Sequence, residues 1–368
     1  MMKKKRNGRI DFLRFVFALI IVLHHTRYLL GYENTIFIGG SLGVEFFFLV
    51  SGYLMVASVE KITEQNHTSG SLGTETFAFL LRKVKAICPE FLVSWIIGFL
   101  VVILLQHKSP AGAVKMFISD FWELTLLKMS GIYLDGLNGV IWYVSAMLLC
   151  MAVLYPLLRR FPDMMKKIFC PLAAVILMGI LCRTQGNPRN PTVWMGILYK
   201  GNIRAFAELC MGVVCFQVTQ KICLVPWNRL SRIIIEILQL GLYGAVILYM
   251  YLYKPGTQDY FFIFLFCIAV ILSFSSLGAG SAVFDGKIPA ILGKFSTALF
   301  FSHLYYAQNL NCILPKQMHT AEKVIIYLLC AFLTALMVEF ISDLLRRNGK
   351  KIKEGLGRLF LETGSGLD

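Results

Sequence analysis

Arg14 and His25 stand eleven residues apart in the apolar run IDFLRFVFALIIVLHHTRYLL. Eleven residues make about three turns of α-helix, so both side chains leave nearly the same face, roughly 16 Å apart. A permanently charged Arg and a titratable His on one stripe of a membrane-buried helix are costly, and by default such residues mark a functional site. Arg14, in the inner turns, suits phosphate because its guanidinium is planar and always charged. Snorkelling to the inner interface is its competing structural use. His25, nearer the outer leaflet, suits proton transfer near neutral pH, with a helix–helix hydrogen bond as the plainer use. The pair fits a long, thin ligand with an anionic end and a reactive end. His24 projects about 100° away and belongs to another face. Thr26 and Arg27 are expected at the interface.

Glu45 sits in a second apolar run, GVEFFFLVSGYLM, at a depth comparable to that of His25. A carboxylate there would fix the tautomer of His25 and stabilise its imidazolium; simple burial is the alternative. Ser51-Gly52 permits close helix approach. Arg82, Lys83 and Lys85 in LLRKVKAICPEF form a basic cluster suited to phosphate or to setting topology. Arg204 and Glu208, spaced i,i+4, pair on one helix face. Trp142, Tyr143 and Ser145 suit a sugar ring or ordinary helix packing. His303 reaches a depth like that of His25 and reads as a supporting or positioning group.

These residues need a membrane scaffold, and the composition supplies one. Hydrophobic residues make up 57% of the 368 and charged residues 15%, with mean hydropathy +0.68. An ordinary soluble domain is excluded. The net charge of +15 raises the question of nucleic acid. We exclude that partner because the Lys and Arg lie in short clusters between apolar runs, where they set topology and meet anionic lipid headgroups. The ten Cys form no CxxC and no Cys/His cluster at zinc spacing, so free buried thiols are expected and no metal site. MMKKKRNGR before the first apolar run reads as the start of a retained signal anchor rather than a cleavable signal.

Spans of about 17–25 residues are expected near 10–30, 36–58, 86–106, 139–158, 168–184, 201–219, 233–253, 260–277, 289–310 and 322–344. The chain thus reads as an all-α, polytopic membrane helix bundle of about ten transmembrane helices. The segment near 118–134 is too polar to span and is expected to be interfacial or re-entrant; 67–76 is expected as a short cytoplasmic loop. With the N-terminus inside, roughly 23 of the 36 basic residues fall in inner segments and about 10 outside. Both termini are then cytoplasmic. This gives a tail over 1–9, one membrane domain over 10–345 and a second tail over 346–368.

The motifs resemble the acyltransferase-3 superfamily of integral membrane acyltransferases. RIDFLR with a His eleven residues after its second Arg, then GVEFFFLVSGYLM, is similar to the family's opening pattern, with Glu45 where an Asp is usual. NGVIWYVSAMLLCMAVLYPLL, RAFAELCMGVVCF and LGKFSTALFFSHLYY follow in family order. Departures are Ala86 where an Arg is common, a W-x-x-S helix without the acidic pair seen in many members, and Ser302 before His303 in place of a common Trp. The resemblance covers about residues 8 to 345.

The resemblance implies a cell-membrane O-acyltransferase. Cytoplasmic acyl-CoA, most simply acetyl-CoA, is the donor substrate, and no cofactor is permanently bound. Arg14, Arg82, Lys83 and Lys85 would hold the donor phosphates. His25 would act as general base or transient acyl carrier, with Glu45 orienting it. Trp142, Tyr143, Ser145, Arg204, Glu208 and His303 would line or support the acceptor site. The implied acceptor is an extracytoplasmic or lipid-linked carbohydrate of exopolysaccharide, lipopolysaccharide or peptidoglycan type. Many members carry a fused extracytoplasmic hydrolase-like domain, and the residues after the tenth span are too few for one. Either a separate extracytoplasmic partner protein supplies that function or the acceptor needs none. The alternative reading is a non-catalytic carrier or flippase, against which the lack of an internal repeat counts.

Overall fold

The computed structural model of the protein describes residues 7–65, 70–132 and 136–364. The basic stretch 1–6, part of the loop expected over 67–76, residues 133–134 of the polar segment and the end of the C-terminal tail lie outside the described residues. Apart from one isolated bridge between Trp194 and Tyr199, the regular structure described is helical. The main helices are α1 (Gly8–His24), α2 (Gly43–Glu64), α3 (Leu72–Leu105), α4 (Pro110–Asp120), α5 (Ile141–Arg160) and α6 (Cys170–Gln185). They continue with α7 (Lys200–Cys223), α8 (Arg229–Leu252), α9 (Asp259–Ser275), α10 (Lys287–Asn309) and α11 (Thr320–Gly364).

All ten expected spans fall on helices. By length and composition, eight of the described helical stretches can cross a membrane: Gly8–Leu30, Gly40–Glu64, Leu72–Leu105, Ile141–Arg160, Pro162–Gln185, Lys200–Cys223, Arg229–Leu252 and Thr320–Gly349. The chain is a multi-pass membrane protein. Helix α9 is apolar but only 17 residues long. Helix α10 is long but carries Lys287, Lys294, His303 and Asn309. Two boundaries differ from expectation. Helix α3 begins at Leu72, inside the expected loop, because the Ser71 side chain accepts from the Thr74 N–H and caps it. Helix α11 runs on past the expected end of the last span at 344 without a break.

Hydropathy patterning explains which faces are inside. Leu92, Ile96, Leu100 and Leu104 recur every fourth residue of α3 and are exposed, as are Ile325, Leu329, Leu333 and Phe340 of α11. A stripe of this kind faces lipid in a spanning helix. The inward faces build two apolar clusters. One draws on α1, α2 and α5 to α9. The other is built mainly on α3, α10 and α11, with the first turns of α5. Tyr143 and Phe300 pack against both clusters and so lie at their seam.

Helices α2 and α7 cross with their backbones in contact, as Ser51-Gly52 led us to expect. A Cβ at Gly52 would overlap the Leu209 carbonyl, and one at Gly212 would overlap that of Leu49. Small residues at a membrane helix crossing permit this approach. The crossing sets Glu45 of α2 against Arg204 of α7. Gly52→Val is therefore expected to separate the helices and lower the midpoint of thermal unfolding in detergent by several degrees. An unchanged midpoint would show that the crossing relaxes freely.

Candidate functional site

Two cavities open toward opposite ends of α1. The larger, of about 1010 Å³, is lined at the N-terminal end by Arg9, Asp11 and Arg14, with Lys83, Ser51 and Thr297. The smaller, of about 340 Å³, lies at the C-terminal end against His25, Arg27, Trp142 and Arg204. Tyr143 and Phe300 line both and form the wall between them. The Tyr143 hydroxyl lies 3.3 Å from the Ser51 hydroxyl, which steadies that wall.

The Arg14–His25 stripe faces α10. Arg14 donates to the Thr297 hydroxyl at 3.3 Å and lies 4.0 Å from Asp11. His25, one residue past the end of α1, is hydrogen-bonded through Nδ1 to His303 Nε2 at 2.8 Å. His303 Nδ1 lies 3.0 Å from the Leu299 carbonyl. The network assigns the protons. A carbonyl only accepts, so His303 Nδ1 carries the hydrogen, and in the neutral ring Nε2 is then an acceptor. His25 Nδ1–H must donate to it. The lone pair of His25 is thereby placed on Nε2, which takes no hydrogen bond from the protein among the described residues. A His whose second nitrogen is fixed in this way is set up to accept a proton from a bound group.

The group that orients His25 is therefore His303, and Glu45 is engaged elsewhere. Both Glu45 carboxylate oxygens accept from Arg204, one of them from Nε at 3.0 Å. Glu208 accepts from the same Nε at 3.1 Å. All three side chains are buried. Equal depth on adjacent helices did not bring Glu45 to His25 because the α2–α7 crossing turns it toward the guanidinium. Arg204 also lies over the Trp142 ring, 5.3 Å from its centroid, and both line the smaller cavity.

The remaining candidates divide. Lys83 lines the larger cavity and lies over the Phe79 ring. Arg82 and Lys85 are exposed on α3 and do not line it. Ser145 is buried and accepts from the Met129 N–H at 2.8 Å, so it anchors a loop rather than lining a cavity. Glu208 and His303 stand behind the smaller cavity, holding Arg204 and His25. His24 faces away from His303, with Nδ1 bonded to the Phe37 carbonyl at 2.9 Å.

Three cations of the smaller cavity were not singled out from the sequence as site residues: Arg27, Lys128 and Arg189. Lys128 belongs to the polar segment expected to be interfacial or re-entrant. Its ammonium lies 3.9 Å from buried Glu123, which also accepts from the Asn138 N–H at 2.9 Å and from the Trp95 indole at 3.2 Å. Burial pushes the Glu123 carboxyl up to about 8, against the pull of Lys128 and of the Asn138 N–H. The sign follows from linkage. The fold holds this proton up to about pH 8, whereas the unfolded chain releases it near 4.3. Stability therefore falls as pH rises between those values. In Glu123→Gln, the unfolding midpoint is expected to vary less between pH 5 and pH 8 than in the parent, as thermal scans in detergent would show.

A multi-pass helix bundle with two cavities meeting at one wall is the class that fold and site define. The chain belongs to the acyltransferase-3 family, the one its motifs resemble: the acyltransferase domain matches residues 7–343. It is similar to the O-acetyltransferase OatA of Staphylococcus aureus strain NCTC 8325 / PS 47, with 24% identity over 353 residues, covering 85% of this chain and 54% of that protein. The OatA proteins of strains COL and MRSA252 match equally. The chain spans about half the length of these curated relatives. No solved structure matches.

Proposed function

We propose that the protein transfers an acyl group, most simply acetyl, from cytoplasmic acyl-CoA to a hydroxyl of an extracytoplasmic or lipid-linked carbohydrate at the cell membrane. Family membership supports the acyl chemistry, and the relatives' name supports oxygen as the acceptor atom. The observation that carries the reading is the division of the site by Tyr143 and Phe300. Arg14 and Lys83 stand on one side, suited to donor phosphates. His25 stands on the other with an oriented lone pair. The pantetheine arm would carry the thioester to that wall. His25 Nε2 takes the proton as the hydroxyl oxygen attacks the thioester carbon, the carbon–sulfur bond breaks, and the proton passes to the departing thiolate. A transient acyl group on His25 uses the same residues.

Radiolabelled acetyl-CoA and the purified protein in liposomes test this. Slow hydrolysis or acceptor-dependent transfer is expected, and His25→Ala should abolish both while leaving the unfolding midpoint unchanged. Thioester cleavage that survives His25→Ala overturns the role of His25. A carrier gives neither activity.

A further inference from the structure

The smaller cavity has a charge imbalance that transfer to a hydroxyl does not require. Arg27, Lys128, Arg189 and Arg204 line it, and among the described residues no Asp or Glu does. Arg204 is answered by two carboxylates, Glu45 and Glu208. Among the described residues Lys128 is paired only with Glu123, whose carboxyl burial keeps largely uncharged at neutral pH. Arg27 and Arg189 make no ion pair among the described residues. Arg27 reaches His24 Nε2 at 3.3 Å and the Tyr28 hydroxyl at 3.0 Å. Arg189 donates to the Tyr32 hydroxyl at 3.0 Å and to the Ile38 carbonyl, while its Nε is buried without a hydrogen-bond partner. Asp259, the acid whose charge reaches Arg189, is buried and accepts from the Tyr249 hydroxyl at 2.7 Å. Two guanidiniums thus border the space in front of His25 without a carboxylate in direct contact among the described residues.

Guanidinium forks match the planar geometry of carboxylate and the oxygens of phosphate. The volume, about 340 Å³, is at the small end of ligand sites. Trp142, with Arg204 over its ring, also lines the cavity, and exposed Tyr28, Asn190 and Thr192 mark the mouth. We propose that this cavity receives a sugar carrying a carboxylate or a phosphate, held by Arg27 and Arg189 so that its hydroxyl reaches His25. The inference rests on the transferase reading for the role of that hydroxyl, but not for the binding itself.

Carbethoxylation of His25 by diethyl pyrocarbonate, followed by peptide mass spectrometry on the full chain in lipid nanodiscs, reads occupancy of the cavity. Glucuronate tests the carboxylate and glucose 6-phosphate the phosphate. Either is expected to slow modification at least about fivefold, at a concentration where glucose has no effect. The double variant Arg27→Gln/Arg189→Gln should lose that protection. Protection by glucose equal to that by both charged sugars overturns the proposal. So does the absence of protection by either charged sugar, the result expected if these arginines serve only anionic lipid headgroups. Acetyl-CoA cleavage in the same preparation separates the two readings. Cleavage without charge-selective protection overturns the anionic acceptor alone. Protection without cleavage supports the anion site and overturns the transferase.

Discussion

In the proposed reaction, His303→Leu is expected to lower kcat for acyl transfer by about two orders of magnitude and to leave KM for acyl-CoA near the parent value. The magnitude is what a general base contributes when it loses its orientation, within the range of about 10²–10⁴ for acid–base catalysis. Leucine removes the acceptor for His25 Nδ1–H and with it the link to the Leu299 carbonyl. The ring of His25 is then free to turn, and Nε2 no longer holds its lone pair toward the cavity. His303 lies outside the larger cavity, so binding of the proposed donor there should be spared. His303→Gln supplies an amide oxygen in place of Nε2 and should recover at least about tenfold of the loss. A purely structural role for His303 predicts the opposite pattern: both variants fail together, with lowered unfolding midpoints. Steady-state kinetics in liposomes beside thermal scans decide between them.

Arg204→Leu should have the largest effect on folding. It leaves Glu45 and Glu208 buried with no cation between them. Breaking a buried pair from one side costs about 3–5 kcal/mol because the remaining charge stays desolvated. Polar groups within a bundle in lipid face the same constraint. Loss of folded protein on gel filtration in detergent, or a large drop in the unfolding midpoint, is the expected result. Glu45→Gln is milder, since Glu208 still answers the guanidinium and the glutamine oxygen still accepts from it. Its folded fraction should retain kcat within about threefold, because Glu45 reaches the site only through Arg204. A hundredfold loss in folded Glu45→Gln would restore the direct partnership with His25 expected from depth.

That contrast shows what a sequence reveals about such a protein. Arg14, His25 and Arg204 stood out because ionisable groups in apolar runs demand a reason, Tyr143 because an aromatic face suits a sugar ring, and all four border a cavity. Helical spacing also placed Arg14 and His25 on one stripe, and both bond to α10. Depth in a span can be counted along a chain, but direction around its axis depends on which helix packs beside it. Hence Glu45 was matched to the wrong partner. Arg27, expected at the interface, and Arg189 were not singled out as site residues for a different reason. Charged residues near a span end are ordinary, and only their convergence on one cavity sets them apart. Helix ends were blurred where polarity hid regular structure. The first turns of α3 read as loop because Gly, Ser and Thr dominate them; Glu75 there is satisfied by Arg159 and the Tyr155 hydroxyl. Helix α10 was expected as a span over 289–310 and is a helix there, although Lys287, Lys294, His303 and Asn309 lower its apolarity.

The wall made by Tyr143 and Phe300 has a consequence for the cell as well as for the reaction. Cavities cut into a spanning bundle from both ends come close to forming a pore. Joined, they would pass water and protons and drain the ion gradient that the membrane maintains. Two aromatic side chains, one tethered to Ser51, are the plug. In the proposed reaction the arm of the donor would have to slip past them without leaving a leak behind, so insulation and turnover would be set by the same few atoms.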